Sequence, residues 1–75
     1  MLENIKSKIR TIPNWPKEGI MFRDITTLLQ DNKGLKETIE LLAERYNYLE
    51  IDVVAGIEAR GFILGGAIAH ALNLG

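Results

Sequence analysis

The chain has 75 residues, 47% of them hydrophobic, enough for one small core and at most one domain or part of one, since a chain of this size leaves roughly 40% of its unfolded surface exposed on folding. No cysteine is present, which excludes a disulfide framework and a Cys-ligated zinc site and fits a reducing cytoplasm. Nine basic and ten acidic residues spread along the chain give a net charge of −1, so no electrostatic footprint for nucleic acid or an anionic membrane stands out.

The segment from Met1 to Arg10 mixes charges of both signs with isolated apolar residues, unlike the apolar core of a signal peptide. No stretch approaches the ~20 apolar residues of a transmembrane helix. Leu2, Ile5, Ile9 and Ile12 recur at helical spacing, which predicts an amphipathic helix over the first ten or so residues. Pro13 and Pro16 then bracket Asn14 and Trp15, and Gly19 closes the stretch. Proline fixes φ and biases its predecessor away from helix, so this is an irregular connector.

Residues 20–23 read as a short extended piece, with Asp24 placed to cap a following turn through Thr26, Thr27, Leu28 and Leu29. Asp31 is the stronger N-cap, because Leu35, Ile39, Leu42, Tyr46 and Leu49 fall on one stripe after it. This predicts a helix over 33–48. Residues 52–57, Asp-Val-Val-Ala-Gly-Ile, are apolar after one charge and rich in β-branched side chains, the pattern of a strand buried on both faces of a parallel sheet. A helix over 61–72 follows, with Gly65, Gly66, Ala67 and Ala69 small enough to pack closely on a sheet, and Asn73-Leu74-Gly75 as its stop signal. The order helix, extended piece, helix, strand, helix belongs to one unit of α/β type. A buried parallel strand needs partner strands for its polar groups, so the chain reads as the first portion of something larger.

Chemistry concentrates at the strand-to-helix turn Gly56-Ile57-Glu58-Ala59-Arg60-Gly61. Such a turn presents backbone N–H groups at the positive end of a helix dipole, and Arg60 adds a planar guanidinium able to grip phosphate oxygens in pairs. The glycine spacing matches a Walker A loop, but Phe62 and Ile63 stand where that motif requires Lys and Ser or Thr. Glu58 occupies the second glycine of the dinucleotide fingerprint, which excludes that reading as well. By spacing alone the turn is equally an anion site or a plain chain reversal with a solvated Arg60. Glu58 opposes an anion unless it points away or meets a metal.

Two segments together go further. Residues 16–29 resemble the stretch near the start of adenine phosphoribosyltransferases, of the purine/pyrimidine phosphoribosyltransferase family, which typically reads P-x-P-G-I-x-F-R-D; Glu18, in place of the second proline, is the clear departure. Residues 54–65, V-A-G-I-E-A-R-G-F-I-L-G, are similar to the same family's pyrophosphate loop. The resemblance spans essentially the whole chain, while the family's complete chain is more than twice as long. It implies a type I phosphoribosyltransferase fold, a parallel sheet flanked by helices, with residues 1–75 its N-terminal part: 1–30 the N-terminal helix and base-pocket segment, 31–75 the helix, strand, pyrophosphate loop and helix.

The family's ribose 5-phosphate motif and closing loop lie downstream of the matched region, so the 75 residues alone are expected to be inactive. For the full-length protein the resemblance implies purine salvage: transfer of phosphoribose from phosphoribosyl pyrophosphate to adenine, giving AMP and pyrophosphate, with Mg²⁺ on the diphosphate. It also implies a cytoplasmic homodimer with neither nucleic-acid nor membrane partners. It assigns Glu58, Ala59, Arg60 and Gly61 to pyrophosphate and Met21, Phe22 and Arg23 to adenine, with no protein metal site and no catalytic residue within the chain. It further implies a cis peptide between Glu58 and Ala59. The pyrophosphate loop alone does not choose a base, so an enzyme for another base such as xanthine, or a non-catalytic nucleotide-sensing module of the same fold, stays open. Without the resemblance, Phe22 reads as an ordinary core aromatic. Trp15 is expected to pack the N-terminal arm, His70 to be a packing or dimer-surface residue, and Asp24 to hold its own turn.

Overall fold

The computed structural model describes residues 2–75; Met1, the first residue of the expected N-terminal helix, lies outside the described residues. The chain divides into two units, Met1–Glu37 and Thr38–Gly75.

In the first unit, α1 is Leu2–Ser7, a helix of 6 residues in which Ile5 is buried. It is shorter than the helix expected over the first ten residues. The amides of Lys8 and Ile9 donate to the carbonyls of Ile5 and Lys6, each at 3.1 Å, the tight bonds that end a helix. Residues 10–13 then become β1, Arg10–Pro13. Ile9 and Ile12 satisfied a helical period by coincidence, and strand pairing decides their conformation.

The partner is β2, Met21–Asp24, antiparallel to β1 with Arg10 opposite Asp24, Thr11 opposite Arg23, Ile12 opposite Phe22 and Pro13 opposite Met21. Pro13, which has no N–H to give, ends its strand. The expected irregular connector is the loop of this hairpin. Asn14 (φ +56°) and Gly19 (φ +88°) take left-handed conformations, and the Trp15–Pro16 peptide is cis. Gly19 is glycine for its φ, since a Cβ there would meet nothing within 4 Å.

The Asp24 turn forms as expected. Its Oδ1 accepts the Thr26 amide at 2.9 Å and the Thr26 hydroxyl at 2.8 Å, leading into α2, Thr26–Leu29. Asp31 likewise caps the next helix, its Oδ2 accepting the Gly34 amide at 2.7 Å, the N-cap to N3 bond that satisfies an otherwise unpaired donor. That helix, α3, is Asn32–Tyr46, ending two residues before the expected boundary at 48.

The second unit holds the rest of α3, a segment that is neither helix nor strand, and α4, Glu58–Leu72. Residues 52–57 form no strand: among the described residues the one sheet is the two-stranded antiparallel hairpin. This corrects the expectation of a buried parallel strand, and the reason is hydrogen-bond supply. Ladder bonds need a neighbouring strand, and residues 51–57 have a single backbone partner from afar, Val54 N–H to the Gly75 carbonyl at 2.8 Å. Val53 is accordingly 66% exposed and Ile57 85%. Helix α4 begins three residues earlier than expected and stops at Asn73 (φ +62°) with a left-handed cap, the Leu74 amide reaching the Ala69 carbonyl at 2.8 Å.

Candidate functional site

The turn at 56–61 is built by two glycines closing on each other. A Cβ on Gly56 would lie 2.3 Å from the Gly61 carbonyl oxygen, and one on Gly61 would meet Gly56 Cα at 3.3 Å. A Cβ on Gly65, one helical turn on, would meet Gly56 Cα at 3.7 Å, an ordinary contact, so the loop itself does not require glycine at that position. The chain reverses through Glu58 at φ +60°, a conformation that costs a non-glycine residue roughly 1–2 kcal/mol. The Glu58–Ala59 peptide is trans, contrary to expectation, since cis geometry among the described residues is confined to Trp15–Pro16. The left-handed Glu58 backbone makes the reversal instead.

Helix α4 starts from Ile57, whose side chain supplies no cap. The first-turn amides of an α-helix lack intrahelical acceptors, so the N–H groups of Glu58, Ala59 and Arg60 carry the positive end of the dipole without a capping side chain, while the Gly61 amide closes the first turn on the Ile57 carbonyl. Glu58, Ala59 and Arg60 are exposed and Gly61 half-buried. Arg60 forms no ion pair among the described residues, leaving its guanidinium open to an anion. The structure thus brings the four residues expected at pyrophosphate into one turn.

The other three expected site residues occupy β2. Met21 is 56% exposed, Phe22 half-buried and Arg23 exposed. The Phe22 ring meets the indole of Trp15 with centroids 4.6 Å apart and planes at 71°. Trp15, expected to pack the N-terminal arm, thus packs against this strand. Arg23 donates from Nη1 to the Thr11 hydroxyl across the ladder. At the strand's end Asp24 is buried, and Arg10 donates to its Oδ2 from Nε at 3.0 Å and also from Nη2. The Thr26 amide, then the Arg10 guanidinium and the Thr26 hydroxyl, hold the Asp24 carboxyl down to about 2. Asp31 is lowered as well, by the Lys8 ammonium at 2.7 Å and then the Gly34 amide.

Arg10 and Thr11, which brace β2 from the paired strand, escaped the sequence reading. The signal was present in Asn14 and Gly19, turn formers standing between two short runs. His70 lies exposed in the last turn of α4, so it packs no core. Among the described residues no group of three His, Cys, Asp or Glu side chains could hold a metal ion, and no helix is long and apolar enough to cross a membrane.

No family model matches the chain. An adenine phosphoribosyltransferase of Methylobacillus flagellatus is 58% identical over 72 residues, which are 96% of this chain and 41% of the relative. In structure, the chain superposes on an adenine phosphoribosyltransferase of Thermoanaerobacter pseudethanolicus with a TM-score of 0.93 at 45% identity, over 100% of this chain and 45% of that one. It superposes on an APRTase of Giardia lamblia complexed with 9-deazaadenine with a TM-score of 0.90 at 36% identity, over 99% and 41%. The chain therefore spans about two-fifths of the length of the proteins it matches. Its architecture is part of the type I phosphoribosyltransferase fold. By sequence, over the stretch it spans, it is similar to adenine phosphoribosyltransferases.

Proposed function

We propose that this chain supplies the base-facing strand and the pyrophosphate loop of an enzyme of purine salvage, which transfers phosphoribose from phosphoribosyl pyrophosphate to N9 of adenine, giving AMP and pyrophosphate. The observation that carries the reading is the open amino end of α4, with its uncapped first turn and an Arg60 that forms no ion pair among the described residues.

Displacement at the ribose anomeric carbon builds an oxocarbenium-like centre and places negative charge on the departing pyrophosphate. Amides fixed at a helix terminus, together with one guanidinium, stabilise that charge where it develops and need no reorganisation to do so. The amides of Glu58, Ala59 and Arg60 and the Arg60 guanidinium take this role, with the Glu58 backbone setting the reversal that aims them. On β2, Phe22 stacks on the base while the backbone of Met21 and Arg23 reads its edge. That the Giardia relative is complexed with 9-deazaadenine supports a purine as the base.

Mg²⁺ would enter on the diphosphate, as part of the substrate. The loop offers it one hard oxygen donor, the exposed Glu58 carboxylate, fit for a single coordination position beside phosphate and water. A cytoplasmic homodimer, and a single domain with residues 1–30 carrying the base pocket and 31–75 the pyrophosphate loop, complete the proposal.

The test is turnover by the full-length protein given phosphoribosyl pyrophosphate, Mg²⁺ and a panel of adenine, hypoxanthine, guanine and xanthine. Adenine should lead by about 10²-fold or more in kcat/KM. Preferential turnover of xanthine or guanine would overturn the choice of base. Binding of phosphoribosyl pyrophosphate with no pyrophosphate released by any base would mark a sensing module instead.

A further inference from the structure

The hairpin loop at 14–20 is shaped around one residue. The Trp15 amide donates to the Ile20 carbonyl at 3.2 Å, the Ile20 amide to the Lys17 carbonyl at 3.2 Å, and the Gly19 amide to Asn14 Oδ1 at 2.9 Å. Asn14 and Gly19 adopt the left-handed backbone that such closure needs. This bonding fixes the backbone of Trp15, yet the side chain it presents is half exposed, at 50%. Burial alone does not explain an anchored loop that leaves so large an apolar group in water.

Its contact does. The indole meets Phe22 at 71° and 4.6 Å, the edge-to-face geometry that the two ring quadrupoles favour. Whichever ring presents its edge, at least one face of Phe22 stays clear of the indole. An isolated phenyl ring on a two-stranded hairpin can change rotamer, whereas one held at its flank keeps a single orientation. We propose that Trp15 is a positioning residue for the base: anchored by its loop, it holds the Phe22 ring at the angle from which the free face stacks on a purine. This rests on the reading of Phe22 as the stacking residue, and Trp15 acts through Phe22 without touching the substrate.

The test compares Trp15→Ala, Trp15→Phe, Phe22→Ala and the Trp15→Ala/Phe22→Ala pair in the full-length protein. The readouts are kcat, the KM values for adenine and for phosphoribosyl pyrophosphate, equilibrium binding of adenine, and circular dichroism. Trp15→Ala should raise the KM for adenine about two- to tenfold, leaving the KM for phosphoribosyl pyrophosphate and the far-UV spectrum unchanged. Trp15→Phe, which keeps an aromatic flank, should restore most of that loss. The pair should bind adenine no worse than Phe22→Ala alone, because both changes remove one interaction. Adenine binding unchanged in Trp15→Ala but weakened in Phe22→Ala would overturn the role of Trp15 and leave the stacking reading standing. Adenine binding indifferent to Phe22→Ala would overturn the stacking reading itself, and the proposal with it. Equal losses for both substrates that Trp15→Phe does not rescue would make Trp15 a structural residue only.

Discussion

Gly56 shows how much one hydrogen atom decides. With a methyl group 2.3 Å from the Gly61 carbonyl oxygen, the clash sets a Cβ fixed to its backbone against a backbone carbonyl, and no rotamer change can relieve it. Gly56→Ala should therefore cost about 1–3 kcal/mol and open the turn that aims the α4 amides. A lowered melting temperature together with a raised KM for phosphoribosyl pyrophosphate in the full-length protein would register both effects; an unchanged melt would show the turn to be looser than the structure has it. The sequence revealed that Gly56 and Gly61 matter, through their spacing, but not why. Glycine at such a turn suggests close approach by a ligand, whereas here the two glycines first make room for each other. The left-handed Glu58 was equally illegible, since glutamate carries no preference that would announce it.

Among the elements, the hairpin is where local and non-local chemistry separate. Asp24 and Asp31 were readable because their bonds run to amides two and three residues ahead, within reach of sequence reasoning. The Arg10–Asp24 pair spans fourteen positions and depends on a register that only the folded ladder sets. The strand β1 was misread because Ile5, Ile9 and Ile12 satisfy a helical period, while the competing evidence lay downstream in the turn.

Acid should act on this element first. The folded Asp24 carboxyl titrates at about 2, below the ordinary aspartate value of about 3.9, so the unfolded chain takes up a proton before the folded one. The stabilisation it provides is complete above about pH 4 and is lost as pH falls through about 2. Asp31, also lowered, adds in the same direction. Denaturant midpoints measured from pH 6 to pH 2 should fall in this window. Asp24→Asn should be less stable at neutral pH and should show a shallower acid slope, and a slope equal to that of the parent would remove Asp24 from the explanation.

At the scale of the molecule, exposed apolar residues occur in both units, and those of the second unit lie in or beside the segment that found no ladder. Tyr48, Leu49, Val53, Ile57, Phe62 and Ile63 are all exposed, and no large side chain among the described residues is fully buried. The sequence pattern of 52–57 was that of a two-face-buried strand, and the pattern records what those residues require, namely strands on either side. A period-free apolar run specifies burial without specifying the neighbour. Hydrogen–deuterium exchange on the 75-residue chain should show the amides of 51–57 exchanging fast, with Val54 the slowest of them because of its bond to the Gly75 carbonyl. Uniform protection across 51–57 would mean that a ladder forms after all.

The division of labour between the two segments is open to one direct measurement: steady-state kinetics of Arg60→Ala in the full-length protein, with both substrates varied. Loss of a charged hydrogen-bonding group worth about 1.5–3 kcal/mol should raise the KM for phosphoribosyl pyrophosphate about 10- to 100-fold. The KM for adenine should stay within about twofold of the parent, since Arg60 serves the phosphate end alone. An unchanged KM for phosphoribosyl pyrophosphate would contradict the assignment of the turn at 56–61 as the pyrophosphate loop.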